Sequence, residues 1–158
     1  DDFKFLSKKE VLKMPVIGFA LKRLHLTVDR KSKDSRAESL NKMKDTLLQE
    51  HISLAIFPEG TRNPGPRPTK DFYDGAFKLA LETGVPIVVQ TVLNSWSRQN
   101  AHMGFRFNPG VVLVKYHSPI LTEALAESDL DQLKLQVQKI MDKNISEYYG
   151  SNTLPKMI

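Results

Sequence analysis

Strand-length apolar runs alternating with helix-periodic stretches predict an α/β fold, with a largely parallel central sheet flanked by helices. Two observations carry that expectation. The run Ser53-Leu54-Ala55-Ile56-Phe57 has the length and composition of a buried central strand. Just before it, Ser35–Glu50 places Ala37, Leu40, Met43, Leu47 and Leu48 on one helical face, with charges opposite. Preceded by a further strand, the pair makes a strand-helix-strand unit with a right-handed crossover. A chain of 158 residues suffices for one domain with a real core, placed at residues 1–150, and a loose tail at 151–158.

Taken in order, Phe3–Ser7 reads as a short strand, and Lys8-Lys9-Glu10 opens a helical stretch. From Val11 to Arg23 apolar side chains recur at helical spacing opposite Lys9, Lys13, Lys22 and Arg23, and Pro15 and Gly18 interrupt the helix. Such a basic amphipathic segment suits either a core-facing helix or a membrane surface. Leu24–Asp29 is the second strand. Asn63–Lys70 is a loop by its prolines and glycine, either a lid or a surface excursion. Gly75–Thr83 is a helix stopped by Gly84, and Val85-Pro86-Ile87-Val88 begins another buried strand. Asn94–Asn108 is polar and irregular, Gly110–His117 is the last strand, and Asp129–Tyr149 is a closing helix. Its apolar face is Leu130, Leu133, Val137, Ile140, Met141 and Tyr148, and Gly150 ends it.

Composition narrows the chemistry. Cysteine is absent, which excludes disulfides, thiolate metal sites and cysteine nucleophiles. The net charge of +5 and a pI near 9.4 favour anionic partners. Acidic residues are interspersed with the basic ones and no aromatic-basic motif is visible, so nucleic acid is not the expected partner. No apolar run approaches the length needed to cross a bilayer, and the first residues, Asp1 and Asp2, are unlike a signal peptide.

The informative stretch is Phe57-Pro58-Glu59-Gly60-Thr61-Arg62, at the end of the strand that begins at Ser53. Gly60 permits a tight turn and close approach of a ligand. Arg62 offers a planar fork of donors matched to phosphate oxygens. Glu59 either accepts from a hydroxyl beside that phosphate or holds the arginine fork. The bland alternative is a turn in which Glu59 and Arg62 pair only with each other.

These six residues resemble the FPEGTR signature of the glycerolipid acyltransferases, specifically the 1-acyl-glycerol-3-phosphate (lysophosphatidate) acyltransferases. Val85-Pro86-Ile87-Val88 is similar to a further family block, VPIVPV, with Val89 in place of the second proline. The similarity runs from about Phe3 to Ser118 and is weakest after Leu93. It implies a glycerol-3-phosphate acyltransferase-like fold. It also implies acyl transfer from acyl-CoA or acyl carrier protein to lysophosphatidic acid, making phosphatidic acid in phospholipid biosynthesis. No cofactor or metal is implied beyond the thioester co-substrate.

Substrate binding falls on Glu59, Gly60, Thr61 and Arg62. The resemblance adds Arg30, at a matching strand end, and Lys8, the first of a lysine pair placed near the acceptor phosphate. Asp74 stands where the family usually has a lysine before Gly-x-Phe, against a phosphate role for that helix start. Expected partners are a lysophospholipid, an acyl thioester or carrier protein, and a membrane surface, with association on the cytoplasmic side.

Ester formation needs a base for the hydroxyl proton and donors for the oxyanion. The family's base is the histidine of an NHxxxxD block that belongs upstream of Phe3, so the resemblance implies a chain lacking that block and, alone, inactive. His25 and Asp29 do not replace it: on a strand they sit about 13 Å apart, at roughly 3.3 Å per residue. His51, His102 and His117 have no aspartate at the required spacing. The alternatives are acyl transfer to glycerol-3-phosphate or another lysophospholipid, or a non-catalytic lipid-phosphate or membrane-binding module.

Overall fold

The computed structural model describes residues 3–8, 25–28, 33–63, 67–98 and 108–150. The predicted helices between Val11 and Arg23 and the tail at 151–158 lie outside the described residues. The chain divides into two compact units, Asp1–Phe57 and Pro58–Ile158.

The first unit is an α/β layer. Strands β1 (Phe3–Lys8), β2 (His25–Val28) and β3 (Ser53–Ala55) form an all-parallel sheet in the order β2-β1-β3. Phe5 is opposite His25 on one side and Ala55 on the other. The central strand of this sheet is therefore β1, not the predicted Ser53–Phe57 run, which flanks it. That run is also shorter than predicted and only partly buried. Beyond Ala55 the chain runs without ladder pairing into the turn at Pro58, which has no N–H to give a ladder. Because β1 and β3 are parallel, the chain leaves both at the same carboxyl edge, where ligands of open α/β sheets bind. The Phe57 ring, beyond that edge, stacks on Phe5 with centroids 6.4 Å apart.

Helix α1 (Lys33–Leu48) connects β2 to β3 and packs on both. Among its described side chains the buried ones are Ser39, Met43 and Thr46, at spacings of a helical face. The predicted face included Leu48, which is 43% exposed, and omitted Thr46, which is fully buried. Thr46 tolerates burial because its hydroxyl donates to Glu50 Oε1 at 3.3 Å. Glu50 in turn takes Lys4 Nζ at 2.6 Å, joining the strand to the helix end, and this bond holds its carboxyl below the usual range.

The second unit is built on helices α2 (Gly75–Thr83) and α4 (Leu130–Tyr149), with the antiparallel pair β4 (Gln90–Val92) and β5 (Val114–Tyr116). A short helix, α3 (Ser95–Arg98), follows β4. Phe72, Phe77, Val89, Leu133 and Val137 form the core. Gly84 caps α2 at φ 69°, its N–H donating to Ala80 O at 2.8 Å, as the sequence predicts.

Both predicted strands of this unit are trimmed. Val85–Val88 contributes a single bridge, Ile87 to Ile120, and Val88 is 51% exposed; the strand proper starts at Gln90. Pro86 lacks a donor, and Val85 O is taken by the Thr122 hydroxyl at 2.8 Å. Before β5, Val111 O accepts from Asn94 Nδ2 and Leu113 N donates to Asn94 Oδ1, both at 2.8 Å. A side-chain amide thus replaces ladder bonds along the predicted Gly110–His117 run. On α4 the predicted Tyr148 is 43% exposed, whereas Asn144 is buried. Asn144 Nδ2 reaches Thr91 Oγ1 at 3.1 Å and contacts His117 Nε2, polar partners no helical-face count supplies.

No helix among the described residues is long and apolar enough to cross a membrane.

Candidate functional site

The second unit begins on the motif. Pro58 to Gly60 turn sharply, with Gly60 at φ 64°, in the left-handed region that favours glycine. The loop that follows closes on itself: Tyr73 N–H donates to Pro58 O at 2.9 Å. Inside the neck, Lys70 N–H donates to Glu59 Oε2 at 2.9 Å. Farther out, Asn63 Nδ2 donates to Arg67 O at 2.8 Å. These bonds tie the described parts of the loop to one another without regular structure. Pro64, Gly65 and Pro66 lie outside the described residues.

Glu59 is half-buried, and burial is the chief reason its carboxyl sits above the usual range. The Lys70 amide and the Lys70 charge pull it down, and the Asp142 carboxylate adds a smaller upward push. Its oxygen is spent on the Lys70 backbone rather than on the arginine fork, one of the two roles the sequence left open for it. Arg62 is exposed, and among the described residues no carboxylate pairs with its guanidinium. Thr61 is exposed beside it. Glu59, Gly60, Thr61 and Arg62 therefore lie together on one short turn, with a fixed carboxylate at one end and an open fork at the other.

Lys8 ends β1 in the first unit, and Arg30 lies outside the described residues. Asp74 precedes α2 and gives no side-chain cap; its carboxylate takes Lys134 Nζ at 2.6 Å. That bond holds the Asp74 carboxyl below and the Lys134 ammonium above their usual ranges. The residue that breaks the family pattern is thus occupied in an ion pair with α4. Sequence reasoning missed the groups behind Glu59: Thr69 and Lys70 on the loop, and Gln138 and Asp142 on α4. In the sequence Gln138 and Asp142 read only as polar positions one helical turn apart, with nothing to mark a partner about seventy residues earlier.

Comparison with known proteins agrees with the motif. The profile of the acyltransferase family matches residues 1–92, more than half of the chain and across both units. The chain belongs to the acyltransferase family. This acyltransferase-family chain is 32% identical, over 131 residues, to a 1-acyl-sn-glycerol-3-phosphate acyltransferase of Cocos nucifera, spanning 80% of this chain and 41% of that protein. A protein of the same description from Salmonella typhimurium is 28% identical over 143 residues, spanning 90% of this chain and 57% of its own. The acyltransferase chain thus spans about half the length of the relatives it matches. Its fold matches the crystal structure of the 1-acyl-sn-glycerophosphate acyltransferase PlsC from Thermotoga maritima. The TM-score is 0.68 at 21% identity, over 98% of this chain and 59% of that one.

Proposed function

We propose that the protein transfers an acyl group from acyl-CoA or acyl carrier protein to the free hydroxyl of lysophosphatidic acid, releasing the thiol and phosphatidic acid. In this reading residues 1–150 serve one acyltransferase domain. The observation that carries it is the turn itself: an arginine fork without a carboxylate partner among the described residues, three positions from a carboxylate already held in place. A planar fork takes two phosphate oxygens at once, and this one is exposed. Arg62 holds the acceptor phosphate, and Glu59 accepts from the glycerol hydroxyl region to orient it. The resemblance also marks Lys8 and Arg30 as acceptor-binding cations. The names of the relatives support the acceptor, and they leave the donor to experiment.

The reaction forms a carbon–oxygen bond at the thioester carbonyl and breaks the carbon–sulfur bond, and the hydroxyl proton passes to a base. The residues of the turn supply binding and orientation, which raise the effective concentration of the attacking oxygen. A membrane surface belongs to the same reading, because the acceptor is an amphiphile. Its support is the exposed apolar run Val111, Val112 and Leu113, together with the basic net charge of +5.

Thiol release by the full-length protein, followed with each substrate varied in turn, tests the assignment. Arg62→Ala should raise the acceptor KM about ten- to a hundredfold, the value of hydrogen bonds to a charged group, while the donor KM moves less than about twofold. Equal rises in both would make Arg62 a structural residue. The same assay with glycerol-3-phosphate and other lysophospholipids identifies the preferred acceptor.

A further inference from the structure

We propose that Thr69, Gln138 and Asp142 are positioning residues, which tie the loop to the closing helix and so set the Glu59 carboxylate. The inference rests on the reading of Glu59 as the group that orients the acceptor.

The geometry is a relay of hydrogen bonds within the second unit. Thr69 is 2% exposed, and its hydroxyl donates to Asp142 Oδ1 at 2.6 Å. The Thr69 hydroxyl oxygen in turn accepts from Gln138 Nε2 at 3.2 Å. Gln138 Nε2 also lies 3.3 Å from Lys70 O, and Lys70 N–H donates to Glu59 Oε2 at 2.9 Å. The loop is thus held on its helix side by Thr69 and Lys70 O, and on its motif side by Lys70 N.

Each part suits the task. A buried hydroxyl with both a donor and an acceptor partner has one orientation, and a carboxylate acceptor makes the stronger, charge-assisted kind of bond. Gln138 and Asp142 are one helical turn apart, so a rigid helix of twenty residues presents both to the loop at a set spacing. Loop residues by themselves are poor at holding a group to the tolerance that catalysis requires, and support from a regular element corrects that. A loop needing only a hydrophobic anchor would bury an apolar side chain at position 69; here a threonine is buried with its hydroxyl fully used.

The test uses the full-length protein and thiol release with acceptor and donor varied separately. Thr69→Val keeps the shape and removes the hydroxyl, and Thr69→Ser restores it. The valine variant should raise the acceptor KM about three- to tenfold, the value of a typical hydrogen bond, with kcat and donor KM within about twofold. The serine variant should return most of the loss. Because the effect passes through Glu59, Thr69→Val should add little in a Glu59→Gln background. Gln138→Ala, at a half-buried site, gives the same comparison should the valine protein fail to fold.

Additive losses in the double variant, or equal changes in kcat and both KM values, would overturn the proposal and leave Thr69 as part of the packing. A Glu59→Gln protein with unchanged acceptor KM would instead overturn the role of Glu59, and with it this inference. The first failure spares the reading of the turn, whereas the second does not.

Discussion

Glu59 and Arg62 lie three positions apart and meet opposite conditions. The arginine is exposed, while the glutamate is half-buried, and burial lifts its carboxyl above the usual range. That lift has a consequence for stability. Below the ordinary carboxylate range both folded and unfolded chains hold the proton, and Glu59 makes no difference. As pH rises, the unfolded chain releases its proton first, so folding loses stability until the raised folded value is passed. Glu59→Gln keeps an acceptor for the Lys70 amide and removes the ionisation. The variant should therefore melt with the wild type near pH 4 and above it at pH 7, as read by thermal melts at both values. A larger gap at pH 4 than at pH 7 would show that the carboxylate is stabilised in the fold. The same substitution should impair use of the acceptor, so the native glutamate is kept at some expense of stability.

Among the elements, α2 shows how a local signal can be sufficient. Phe77, Leu79 and Ala80 supply its buried face, and Gly84 ends it in the left-handed conformation at φ 69°. A methyl group at Gly84 would meet Glu123 Cα no closer than 3.7 Å, an ordinary contact. Substitution there is therefore a matter of backbone alone. Gly84→Ala should destabilise the protein by about 1–2 kcal/mol, the cost of a left-handed residue with a Cβ. Gly84→Asn should cost less, since asparagine tolerates that region. Denaturant titration of the three proteins checks the order; equal stability would mean that the helix end rearranges. On α4, by contrast, periodicity located the helix and misjudged its last turns. Asn144 is buried there through Thr91 and His117, which arrive from β4 and from beyond β5.

For the whole molecule, the parallel sheet and the helix of the first unit match the α/β class that the sequence predicts. Surface character bears on the proposed contact with a membrane. Val111, Val112 and Leu113 are 70%, 52% and 40% exposed in a chain of net charge +5. An apolar run with a basic balance is suited to an acidic membrane surface, where burial and charge act together. Flotation with vesicles containing phosphatidic acid should recover the protein. Val111→Ser combined with Val112→Ser should lower the bound fraction about fivefold, less than full burial of two valines would give. Raised salt should lower it further by screening the charge. Binding unchanged by both would place the membrane contact elsewhere.

The sequence alone determined the class of fold, the helices α1, α2 and α4, the cap at Gly84, and the six-residue turn on which the proposed function rests. These are local matters: periodicity, glycine geometry and a contiguous motif are all written within a few residues of where they act. Only the tertiary structure decided which strand is central, how far each strand runs, and which groups stand behind Glu59. Strand limits depend on where partner carbonyls and amides go, and here Asn94 and Thr122 take backbone groups that apolar runs would have given to a ladder. The support of Glu59 depends on Thr69 meeting Asp142, a pairing between positions 73 residues apart that hydrophobic periodicity does not encode.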